Sequence, residues 1–194
     1  MTEISGQYGL VLLFDNRTNH QATNLNLAFA GGNEIRFDGT AIPHMTLYHA
    51  KFIGLTVEKV RGLLSWLEPN LPQRVRFRKL TSFGGKFIFW EADRSRKLNL
   101  LHDLSLELVD YLDRKGICQA DTEKLELTPN QRENLEQFGH PLVHELWNPH
   151  ITIGYFPRGL KKPDRSHYFI GEAVTVAFAK MGENGTVGEI VTRA

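Results

Sequence analysis

The chain has 194 residues, a hydrophobic fraction of 41%, a charged fraction of 23% and a formal net charge of +1. These values suit one globular domain, exclude a disordered or fibrous class, and lack the basic excess of proteins that grip long duplex nucleic acid by its phosphates. The single cysteine, Cys118, can form no internal disulfide and no cysteine-based metal cluster, so it is read as a small structural residue in a reducing, cytoplasmic setting.

The run "YGLVLLF" (8–14) is expected as a buried strand. No basic stretch precedes it, and it is too short for a signal h-region or a membrane span, so no membrane partner is expected. Thr18 is placed as the cap of a helix over 19–29, with Ala22, Leu25, Ala28 and Phe29 on one face and Gly31-Gly32 as its stop. Residues 42–52 read as a strand. Thr56 then caps a helix carrying Val57, Val60, Leu63, Leu64 and Leu67, closed by Pro69. Residues 73–83 and 86–92 read as a hairpin around Gly84-Gly85. A helix is expected over 95–114, striped by Leu98, Leu101, Leu104, Leu108 and Leu112 and followed by Gly116. Residues 117–127 suggest a loop with a short strand. Thr128, Pro129 and Gln131 form a capping box with proline in the first turn, and Gly139 ends that helix. Residues 148–156 read as a strand, 158–167 as a basic loop, and 172–181 with 186–192 as a last hairpin. Strands and helices mix without strict alternation. The expected class is therefore α+β with antiparallel sheets. No glycine-rich phosphate loop is present.

One short pattern occurs twice. "IPHMTLYH" (42–49) and "NPHITIGYF" (148–156) each carry Pro-His-apolar-Thr-apolar in a strand-like context. With 8 histidines in the chain, an H-x-T is expected by chance about 0.5 times, and one with apolar residues after both His and Thr only about 0.1 times. A single copy is most simply a solvated sheet face, but the pair points to a site. Brought into one cleft, the two strands supply two imidazoles and two hydroxyls. Near neutral pH one ring can take a proton while the other gives one, and the hydroxyls can donate to non-bridging phosphate oxygens. That set suits in-line displacement at phosphorus. The strained ring of a cyclic phosphodiester needs no metal to react.

His44-Met45-Thr46-Leu47 and His150-Ile151-Thr152-Ile153 resemble the paired signatures of the 2H phosphoesterase superfamily, which includes the 2′,5′-RNA ligase-like and cyclic phosphodiesterase proteins. "LTSFGGKFIFW" (80–90) and "VTVAFAKMGENGTVGEIV" (174–191) are similar to that family's hairpins. The resemblance implies a bilobal α+β fold with pseudo-two-fold symmetry, antiparallel sheets lining a central cleft and helices outside, in a single domain over 1–194. It implies metal-independent hydrolysis of 2′,3′-cyclic phosphates of RNA 3′ ends or small nucleotides, usually leaving a 2′-phosphate, without a cofactor. By motif, His44 and His150 become the acid-base pair, with His150 as base and His44 as acid, and Thr46 and Thr152 the phosphate contacts. Relatives often follow the second motif with a small residue and then Arg or Lys. This chain has Gly154-Tyr155-Phe156, so a cation is sought in Arg158 or the 161–165 loop.

By strand parity Tyr48 continues the His44/Thr46 face and Phe156 the His150/Thr152 face. Either aromatic can stack on a base or simply pack, and Phe83 is a further candidate beside the hairpin turn. Trp90 is assigned to the core. Arg74, Arg76 and Arg78 share one face, read as solvated or as an RNA track. His49 points away from His44 by the same parity and is left out of the site. His140 and His144 are not read as a metal pair, and no metal site is expected. The competing readings are a non-catalytic RNA-end or nucleotide binding module on the same fold, and a phosphodiesterase for 2′,5′-oligonucleotides or ADP-ribose cyclic phosphate. A monomer is expected.

Overall fold

Among the described residues the apolar runs become seven antiparallel strands, and the amphipathic stretches become four helices laid against them. A computed structural model describes residues 3–115, 127–160, 163 and 165–194. The readings of Cys118, Gly116, most of 117–127 and part of the 161–165 loop lie outside the described residues. In chain order the elements are β1 (Glu3–Phe14), α1 (Asn16–Ala28), β2 (His44–Thr56), α2 (Val57–Leu67), β3 (Gln73–Phe83), β4 (Phe87–Ala92), α3 (Arg96–Ser105), α4 (Pro129–Phe138), β5 (His150–Tyr155), β6 (Arg165–Met181) and β7 (Val187–Arg193). No described helix is long and apolar enough to cross a membrane.

The strand order is β1-β2-β5-β4-β3-β6-β7, with β1 also paired to β6. The long strand β6 makes this possible. Its first half, up to Ala173, pairs with β3, and its second half, from Ala173, pairs with β1. The sheet thus divides into β2-β1-β6-β7 and β5-β4-β3-β6, and the two halves meet again where Met45 of β2 pairs with Ile151 of β5. Each half leads from a strand through helix into one motif strand, β1-α1-β2 in one and β4-α3-α4-β5 in the other. This is the α+β, two-lobed architecture expected from the sequence, with both lobes sharing one apolar cluster that includes Leu12, Met45, Trp90, Ile151 and Phe178.

Most local signals act as read. Thr56 caps α2, accepting from Lys59 N, and Thr128 with Gln131 forms the capping box of α4, which Gly139 ends in the left-handed conformation at φ 67°. Trp90 is fully buried and stacked on Phe77. Arg76 and Arg78 both pair with Asp93 on an exposed face.

Two helices depart from the reading. Asp15, not Thr18, caps α1. Its carboxylate accepts the Thr18 N–H at 3.0 Å and also the Thr18 hydroxyl, while that hydroxyl accepts the Glu172 N–H at 3.3 Å. Thr18 therefore ties the first turn of α1 to β6 instead of starting the helix. Asp15→Ala is expected to cost about 1 kcal/mol, read as a lower urea midpoint with an unchanged m-value. The helix expected over 95–114 stops as α-helix at Ser105 and continues as a 3-10 turn over Leu106–Tyr111. The leucine stripe gives way to a tertiary demand: Leu112 must bridge Phe52 of β2, and Asp113 N–H donates to Lys51 O at 2.8 Å.

Candidate active site

Each motif strand holds its histidine by the same device. His44 Nδ1–H donates to Ile42 O at 2.7 Å, and His150 Nδ1–H donates to Asn148 O at 2.7 Å. A carbonyl can only accept, so each neutral ring carries its proton on Nδ1 and leaves Nε2 unprotonated. In both cases the acceptor lies two residues back, across Pro43 or Pro149. Proline fixes its own φ and keeps the residue before it extended, which presents that carbonyl to the ring. The two prolines noted in the repeat thus have a physical role: they set the tautomer.

Each motif strand then breaks its alternation at the same place. On β2, Leu10 faces Tyr48 and Val11 faces Thr46, so Leu47 is an extra residue. On β5, Ile88 faces Gly154 and Phe89 faces Thr152, so Ile153 is extra. These are β-bulges, and beyond each one the facing of the side chains is inverted. The carbonyls there are held by side chains of the other half. His102 of α3 donates through Nδ1 to Leu47 O at 2.6 Å, and Trp147 Nε1–H donates to Thr46 O at 3.1 Å. Asn26 of α1 donates to Ile153 O at 2.7 Å, joined by Asn33 at 3.2 Å.

The bulges leave Tyr48 buried at the border of the cleft, carry Phe156 away from it and add one residue. Tyr48 is 2% exposed, with its ring edge-on to Phe52 in the core and its hydroxyl donating to Phe138 O at 2.6 Å. It borders the cleft without presenting a free face to it. Phe156 is buried in the core and borders a different cavity, with Gly31–Glu34 and Arg158. His49, excluded by parity, comes onto the cleft face instead, opposite Gly9. Gly9 makes the space: a Cβ there would stand 2.8 Å from the His49 Cβ and 3.0 Å from Tyr48 O. The offset from the motif histidine is the same in both halves, so His49 and Tyr155 occupy equivalent places.

The cleft is a cavity of about 330 Å³ bordered by Thr46, His49, Phe83, Phe89, His140, His150 and Thr152, among others. His44 sits beside it in a narrow recess shared with Thr152 and Gly185. The antiparallel pairing of Met45 with Ile151 sets each motif histidine across from the other strand's threonine. Among the described residues neither threonine hydroxyl has a protein hydrogen-bond partner, so both are free to donate. Phe83 is where the sequence placed it, half-exposed and stacked on Phe89 at 5.2 Å; Phe89 in turn stacks on His150 at 3.7 Å. His140 meets His49 edge-on at 4.4 Å. No described Lys or Arg borders this cavity, and Arg158 lies at the other one, so the cation sought after the second motif is not supplied there.

Burial lowers the pKa of every imidazole in the cleft. His150 and His49 fall to about 4, His44 falls below its usual value, and His140 falls well below it. For His150 the Asn148 carbonyl and the Glu91 carboxylate pull the other way, and His44 adds repulsion. These rings bind fewer protons folded than unfolded between about pH 4 and 6.5, so their contribution to stability is present above that window and is lost on acidification. Thermal midpoints are expected to fall as pH drops from about 7 to 5. Acid-base chemistry that needs one ring protonated runs oppositely: above the depressed pKa values the protonated fraction shrinks, so kcat/KM is expected to decline from about pH 5 to 8. A kcat/KM that climbs through that interval would contradict the shifts.

No protein-family model matches the chain, and no curated protein matches it at the sequence level. Among solved structures, TT0787 of Thermus thermophilus is similar over 96% of both chains, with 16% identity and a TM-score of 0.56. The chain thus shares the fold of TT0787. A crystal structure described as a phosphoesterase (12% identity, TM-score 0.48) and E. coli LigT complexed with NADP+ (12%, 0.46) each align over 98% of both chains.

Proposed function

We propose that the chain is a 2H-type phosphodiesterase that opens 2′,3′-cyclic phosphates of RNA ends or nucleotides to 2′-phosphates, without a metal. The observation that carries this reading is the matched pair of H-x-T strands, each with its imidazole tautomer set by an i−2 carbonyl and its threonine hydroxyl free beside one cavity.

In this reading the phosphate lies between the two strands. Nε2 of neutral His150 takes a proton from water as its oxygen bonds to phosphorus. The P–O3′ bond breaks, and His44, protonated on Nε2, gives its proton to O3′. The product is a 2′-phosphate with a free 3′-hydroxyl, and the two histidines have exchanged protonation states. Glu91, opposite His150 in the β4–β5 register, favours the charged form of that ring, which supports His150 as the proton acceptor. Thr46 and Thr152 donate to the non-bridging oxygens as charge builds there. Binding of the phosphodiester anion raises the pKa of both rings and so favours the singly protonated pair.

The test is a turnover panel of 2′,3′-cyclic nucleotides and RNA ends, ADP-ribose cyclic phosphate and 2′,5′-linked oligonucleotides. Turnover of the first class is expected. Tight binding across the panel without turnover would instead support a binding module.

A further inference from the structure

Resting on the reading of this cavity as a nucleotide site, we propose that His49 and His140 form a hydrogen-bonding subsite for the edge of the substrate's nucleobase. The motif strands account for His44, Thr46, His150 and Thr152. The same cavity holds a second pair of imidazoles in edge-on contact at 4.4 Å, and the phosphate chemistry uses neither.

The pair's surroundings select the class of ligand. Leu142, Val143, Trp147 and Met181 border the same cavity, and no described Lys, Arg, Asp or Glu does. Burial keeps both rings neutral, with repulsion from His44 and His150 acting on His49 in the same direction. A second anion would find no fixed counter-charge, whereas an uncharged polar edge with an apolar body fits both the rings and their neighbours. His140 Nδ1 accepts the Leu142 N–H at 3.1 Å, so this ring carries its proton on Nε2 and is a donor there. His49 has no hydrogen-bond partner among the described residues and can present either a donor or an acceptor. Donor and acceptor side by side match the adjacent polar groups of a base edge. A cavity of about 330 Å³ is of the size that holds one nucleotide. His49 stands one bulge beyond Thr46 on the same strand, which sets the base contact at a fixed reach from the phosphate contact.

The experiment compares wild type with His49→Phe, His140→Phe and His49→Gln on the four 2′,3′-cyclic nucleotides, and measures binding of the four nucleoside 2′-monophosphates by calorimetry. Wild type is expected to prefer one base by about tenfold or more in kcat/KM, and each Phe variant to reduce that preference to about two- to threefold. His49→Gln, which keeps a donor and an acceptor, is expected to retain more of the preference than His49→Phe. An equal loss on all four substrates would place the pair at the phosphate and overturn the proposal, as would an unaltered base preference in the variants. If no cyclic phosphate is turned over but 2′-monophosphate binding is base-dependent and loses that dependence in the Phe variants, the catalytic reading fails and the subsite stands.

Discussion

Alanine at His150 or at His44 is expected to lower kcat/KM for a 2′,3′-cyclic nucleotide by about 10³-fold or more, with the fold intact. Each ring holds its Nδ1 proton on the carbonyl two residues before it, so losing one ring does not release the other. Under the proposed mechanism, His150→Ala would lack the proton acceptor for water, and His44→Ala would lack the donor for the leaving oxygen. A substrate whose leaving group needs no proton, such as a nitrophenyl phosphodiester, is expected to restore much of the rate to His44→Ala and little to His150→Ala. The reverse pattern would exchange the two roles. Full activity in either variant would remove the ring from the chemistry.

The second large effect lies away from the substrate. His102 is fully buried and bonded at both nitrogens: Nδ1–H to Leu47 O at 2.6 Å, and Nε2 accepting the His144 N–H at 2.9 Å. Its ring lies flat on Trp147, at 4.5 Å and 3°, and Trp147 holds the Thr46 carbonyl. His102→Ala would leave one buried and one part-buried backbone group without partners and open a gap beside Trp147. The expected loss is about 3–5 kcal/mol, a large share of the stability of a domain this size. The β2 bulge would lose its main support, so kcat should fall in the folded protein more than KM rises. His102→Gln, able to keep one of the two bonds, is expected to recover part of the stability and part of kcat. Unchanged denaturation midpoints in His102→Ala would contradict this role.

Those contacts also explain what could be read from the chain and what could not. The His/Thr pairs were legible because alternation holds from His44 to Thr46 and from His150 to Thr152, and because the motif recurs. Phe156 and His49 were misplaced because the extra residue at Ile153 or Leu47 inverts the facing after it. The partners that hold those bulges are far away in sequence: His102 is 55 residues from Leu47, and Asn26 is 127 residues from Ile153. No local pattern encodes such a contact. One signal was available for His49: it is a polar residue five positions after the motif histidine, in a strand whose parity would bury it without a partner. The misread end of α3 has the same origin, since the Leu112–Phe52 bridge is a tertiary contact that leucine spacing does not report. The caps of α2 and α4 and the Gly-Gly hairpin, settled within a few residues, were legible; Asp15 and Ser95, the caps of α1 and α3, were not read.

The most direct measurement of the central claim is hydrolysis of a 2′,3′-cyclic nucleotide in ¹⁸O-labelled water with excess chelator, followed by phosphorus NMR. The paired-histidine reading predicts steady turnover to a 2′-phosphate carrying one ¹⁸O on phosphorus. A 3′-phosphate product, or turnover that appears only when a divalent metal is restored, would contradict it.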